Sequence, residues 1–126
     1  MQPHIMFSFD DGILDESLWV PDHMREPIRL YVLHGLEPGS FLSYVISNDL
    51  FGAIRTADAT NSRHLKGIAA WFLNHGPDGC YGSREHLINW IKDKDNVRSN
   101  FFNEYQKALV VERLQGLPDP NVKNAA

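Results

Sequence analysis

Side chains able to do chemistry gather at two places in this 126-residue sequence. Near the start, Asp10 and Asp11 stand side by side in Phe7-Ser8-Phe9-Asp10-Asp11-Gly12. Adjacent carboxylates can share the work of a base and a metal ligand when histidines complete the coordination. Further on, His75, Cys80 and His86 surround a stretch holding Gly76, Pro77, Gly79 and Gly82. Two imidazoles and a thiolate are a donor set for a soft metal. Spacing favours neither set. Histidines one helical turn apart would share a face, but the nearest pairs, His23/His34, His64/His75 and His75/His86, are each eleven residues apart. Steps of five and six residues through glycines do not impose a coordination geometry either. No Gly-x-Ser-x-Gly elbow presents a nucleophile, and no Gly-Lys-Ser/Thr follows Gly35, Gly39 and Ser40 to cradle a phosphate. The expectation is therefore no catalytic residue, no metal and no cofactor.

The Phe7 to Gly12 motif resembles the metal-binding strand end of polysaccharide deacetylases, in which one Asp is the base and the next holds the metal. That resemblance implies a small metal-dependent hydrolase using Asp10, Asp11 and a histidine. The chain is short for that barrel. A hairpin turning at Asp11-Gly12, with both acids in solvent, accounts for the same residues.

Charge is the next signal. Residues 1–26 hold six acids (Asp10, Asp11, Asp15, Glu16, Asp22, Glu26) against Arg25 alone, net −5, while the rest of the chain is net +1. A chain of net charge −4 lacks the basic field that releases counterions from phosphates, so DNA or RNA is not expected as a direct partner. An acidic arm can instead steer onto a basic protein surface and compete for it. Asp10, Asp11, Asp15, Glu16 and Trp19 of the arm, with Tyr81 of the Gly-rich loop, are the candidate partner-binding residues. Asn48, Asp49, Arg55 and Asp58 are candidates for a structural polar network.

These residues must be carried by a single core, since 126 residues suffice for one domain. With 43% apolar and 22% charged residues the composition is that of a globular chain. The longest apolar run, Ile68 to Leu73, is far below the roughly 20 residues of a membrane span. Cys80 is the single cysteine, and no export leader is visible, so a reducing cytoplasm is the expected compartment.

The pattern predicts a mainly α fold, a compact bundle of four to five helices with a short N-terminal β-strand or hairpin. Residues 1–20 form the acidic arm, 21–115 the helical domain and 116–126 a flexible tail. Met24, Ile28, Tyr31 and Val32 recur at helical spacing between a start at Pro21-Asp22 and a stop at Gly35, with Pro27 inside. Ser40 is expected to cap a second helix whose apolar face runs Leu42, Val45, Ile46, Leu50, Ala53, Ile54, Ala57, with Asn48-Asp49 as a potential break. Asp58 or Thr60 caps a third, central helix with Leu65, Ile68, Ala69, Trp71, Phe72 and Leu73. Ser83 starts a helix with Leu87, Ile88, Trp90 and Ile91. A last helix runs from about Arg98 to Leu114 with Phe101, Phe102, Tyr105, Ala108 and Leu109 on one side.

Pro21-Asp22-His23-Met24-Arg25, Tyr31, His34-Gly35, Pro38-Gly39-Ser40-Phe41-Leu42, Asn48-Asp49-Leu50, Ala57-Asp58, Asn61 and Cys80-Tyr81-Gly82-Ser83 together resemble a group of short uncharacterised proteins encoded by tailed phages, prophages and their bacterial hosts. The likeness runs from Pro21 to Ile91, with Tyr81 in place of Trp and Arg84 in place of Pro. It implies no reaction. The acidic arm and the segment from Arg98 onward look like additions to that unit, and appended segments often carry specific contacts. The expected function is that of a phage or prophage accessory protein that binds another protein, such as a host enzyme or defence component. A structural homo-oligomer, paired as a homodimer through the N-terminal strand edge, is the remaining expectation.

Overall fold

The computed structural model describes Phe9 and residues 15–103. The expected hairpin, apart from Phe9, lies outside the described residues, as do Asp10, Asp11, the helix beyond Asn103 and the tail. Among the described residues the chain is mainly α, with no strand. A 3-10 turn (Glu16–Leu18) leads into α1 (Asp22–His34), α2 (Ser40–Ile46), α3 (Leu50–Thr56), α4 (Ala59–Arg63), α5 (Leu65–His75), α6 (Arg84–Lys92), a second 3-10 turn (Lys94–Asn96) and α7 (Val97–Phe102).

Helix α1 follows its sequence pattern closely. Met24, Ile28, Tyr31 and Val32 are all buried, and Gly35 closes the helix at φ 68°. Only glycine takes that conformation without strain, and a Cβ there would also strike the Arg98 guanidinium. Pro27 sits inside α1 and does not end it.

The long apolar face expected from Leu42 to Ala57 does not survive folding. Asn48, at φ 62°, breaks the helix, and Asp49 recaps it by accepting from the Gly52 amide at 2.8 Å. The chain changes direction there, so α2 buries Phe41, Leu42 and Ile46 while α3 buries Gly52 and Ala53. Leu50 and Ile54, expected inside, are 59% and 52% exposed. Ser40 is the first helical residue and Gly39 the cap, with no side-chain capping bond. Ser40→Ala should therefore cost well under the usual ~1 kcal/mol of a lost cap, whereas Asp49→Ala or Asp58→Ala should each cost about 1 kcal/mol in urea unfolding.

Asp58 caps α4 by accepting from the Asn61 amide, and His64 separates α4 from α5. Ser83 caps α6 through the His86 amide. Helix α7 closes at Phe102, and the rest of the expected segment up to Leu114 lies outside the described residues. Asn103 turns to an extended conformation after Phe102, and Asp93 takes up the Arg98 and Ser99 amides at 2.8 and 2.9 Å.

The core collects Ile28 and Tyr31 of α1, Leu42 and Ile46 of α2, Ile68 and Phe72 of α5, and Trp90 of α6. Helix α5 supplies much of this, yet α2 is the element that touches α3, α5 and α6 together. Polar bonds inside the core tie distant segments. The Tyr31 hydroxyl donates to the Cys80 carbonyl at 2.7 Å, and Trp90 Nε1 donates to the Tyr31 and Val32 carbonyls at 3.1 and 3.2 Å. At the other end of the described chain, Val20 is buried and the first 3-10 turn lies on α5.

Candidate functional site

The residues singled out in the sequence take separate stations. Asp15 is exposed and caps the first 3-10 turn, its Oδ1 accepting from the Ser17 amide (3.0 Å) and hydroxyl (2.8 Å). The Ser17 hydroxyl and then its amide hold the Asp15 carboxyl below the ordinary value, with a smaller pull from Lys66. Glu16 is exposed and Trp19 half-buried. Tyr81 is half-buried with its ring 6.1 Å from that of Phe72, so most of it belongs to the core margin.

Asn48, Asp49, Arg55 and Asp58 are exposed rather than buried together. Asp49 and Asp58 cap different helices, and the Arg55 guanidinium lies 5.7 Å over the Tyr44 ring. No hydrogen bond or ion pair among the described residues joins the four into a network. Capping explains Asp49 and Asp58, because short carboxylates satisfy first-turn amides that no carbonyl can reach.

No group of three His, Cys, Asp or Glu side chains among the described residues is placed to hold a metal ion. Ser83 Oγ lies 2.7 Å from His86 Nδ1, but the same oxygen is the α6 cap. Cys80 is fully buried, and burial, reinforced by the Asp78 carboxylate, pushes its thiol far above the ordinary value of 9.0. Burial likewise raises Tyr31 above its ordinary 10.0. Both groups stay neutral in the folded chain while the unfolded chain ionises. Their contribution to stability is thus complete below about pH 9 and should fall as pH rises beyond it. A maleimide should label Cys80 readily in urea and hardly at all in the native protein. Fast native labelling would show the loop around it to be open.

Among the described residues, a concave feature between α2 and α6 is small and half polar, while another is lined chiefly by apolar atoms. A groove of about 480 Å³ lies between α3 on one side and α4 with the start of α5 on the other. Val45, Leu50, Ala53, Leu65 and Ala69 form its floor and walls, and Asn48, Asp49, Ser62, Arg63 and Lys66 its polar rim. Its size falls within the roughly 300–1,000 Å³ usual for binding clefts. Outside its lining, three more large apolar side chains on the same helices are exposed: Ile54, one turn beyond Leu50, Phe51 at 77%, and Leu73, one turn past Ala69, at 70%. Leu50, Phe51 and Ile54, all more than half exposed on the short helix α3, leave apolar surface next to the groove, which is unusual on a chain that works alone.

Compared with family models, curated proteins and solved structures, the chain finds no match. The groove is therefore read from its own residues. Sequence reasoning missed it because Leu50 and Ile54 fit the apolar period of the preceding helix. The signal that could have revealed it was Asn48-Asp49, since a break there releases α3 from the register of α2.

Proposed function

We propose that this chain is a small accessory protein that acts by binding another protein, and that the groove between α3 and α5 is its docking surface. The observation that carries this reading is the face formed by Leu50, Phe51 and Ile54, three large apolar residues more than half exposed beside an apolar cleft. Such residues cost solubility unless a partner covers them. The resemblance to short phage and prophage proteins makes host-cell proteins, including host enzymes and defence components, the first place to look for that partner. The acidic arm supplies a second charge-bearing surface, with Asp15 and Glu16 exposed beside α5.

Photo-crosslinking tests the reading. A benzophenone side chain at Phe51 in host cells should give a discrete adduct that Leu50→Ser abolishes, and the same probe at Glu85, exposed on α6, should not. Identical patterns from both positions, or none, would sink it. Phe51→Ser should remove the contact while shifting folding stability by no more than about 0.5 kcal/mol in urea unfolding, because the ring is mostly in solvent.

A further inference from the structure

The groove's rim bears a charge opposite to that of the chain. The protein is net −4, yet the groove lining presents Arg63 and Lys66 against the single carboxylate of Asp49. Asp49 is already engaged, its Oδ1 accepting the Gly52 amide. Both cations are exposed, and neither enters an ion pair among the described residues.

The shape of the walls restricts the occupant further. Leu65 and Ala69 form an i, i+4 row along α5, and Leu50 and Ala53 an i, i+3 row on α3. Rows of this spacing are the ridges between which a third helix seats its own, and the small side chains of Ala53 and Ala69 let it approach closely. No strand is present among the described residues, so no sheet edge is available there for an extended peptide to extend.

Resting on the docking-surface reading, we propose that the groove receives an acidic amphipathic helix of a protein partner. Its apolar residues at i, i+3, i+4 and i+7 fill the cleft, and its Asp or Glu side chains face Arg63 and Lys66. The surrounding charge selects the partner more than it strengthens the grip, since rim charges act chiefly on encounter and discrimination.

The full chain can be titrated with three probes. These are a designed helical peptide of about 18 residues with Leu at those positions and Glu beside them, its Lys-for-Glu counterpart, and dodecanoate. The acidic peptide should bind at least about tenfold more tightly than the basic one, moving the amide resonances of Ala53, Leu65 and Ala69. Arg63→Glu with Lys66→Glu should invert that preference while leaving the far-UV circular dichroism unchanged. Equal binding of the two peptides, resonance shifts confined to another face, or dodecanoate filling the groove in place of the peptide would each overturn the proposal. The Phe51 crosslink does not depend on the partner's charge. A persistent adduct without acidic preference therefore defeats the helix assignment and leaves the docking surface standing, whereas absence of any adduct defeats the docking surface itself.

Discussion

Trp90→Ala should remove about 3–5 kcal/mol of folding stability, a large part of the roughly 5–15 kcal/mol that holds a domain together. Trp90 is fully buried, and its ring meets those of Tyr31, Phe101 and Phe102 at centroid distances of 6.5, 6.4 and 6.2 Å. Alanine leaves a cavity that α1, α6 and α7 line together, and helices tied through so many partners cannot close over it. Trp90→Phe separates packing from hydrogen bonding. It keeps much of the ring contact but removes the Nε1 donor to the Tyr31 and Val32 carbonyls at the end of α1. The Tyr31 carbonyl retains the Gly35 amide at 2.8 Å, so the loss falls mainly on Val32 and should cost about 1–3 kcal/mol. Urea unfolding followed by far-UV circular dichroism measures both. An alanine variant with the wild-type midpoint would show that this ring does not organise the core.

Gly67→Ala carries the second large effect, and it acts at a specific place. The first 3-10 turn crosses α5 so closely that a Cβ at Gly67 would collide with the Leu18 carbonyl group. Two backbones meet there, and no flexible side chain can yield. Alanine gains up to about 1 kcal/mol of helix propensity at this position, but overpacking against a fixed backbone costs about 1–3 kcal/mol. The easier escape is for the turn to lift away from α5, taking Val20 out of the core. Limited proteolysis around Leu18 and Trp19 should then quicken about tenfold for every 1.4 kcal/mol lost locally. Gly39→Ala provides the control, because nothing lies within 4 Å of a Cβ there. Equal behaviour of the two variants would mean that residues 15–20 do not depend on the contact with α5.

Gly39 follows Pro38 in an evident turn, but nothing in the sequence marks Gly67 as the costlier position. Gly67 sits in a run that already reads as helix, and no local pattern announces that another segment passes over it. The same blindness explains the groove. Leu50 and Ile54 continue the apolar period of Leu42, Val45 and Ile46, so periodicity assigns them to the core. The assignment fails because phase along a helix is transmitted only while the helix continues, and Asn48 at φ 62° interrupts it. Arg63 and Lys66 are unremarkable as single residues. They become a rim only when the turn at His64 sets α4 and α5 beside α3.

What the amino-acid order determined by itself was local. The mainly helical class, the stripe and glycine stop of α1 and the serine cap of α6 follow from side-chain size, backbone preference and spacing within a few residues, whereas Asp58, expected to cap the central helix, caps the separate short α4. Tertiary structure decided which apolar stripes face inward and which remain outside. That choice depends on how helices cross after each break, and the energy that settles it comes from contacts between residues far apart in the chain, such as Trp90 with the end of α1 and Leu18 with Gly67.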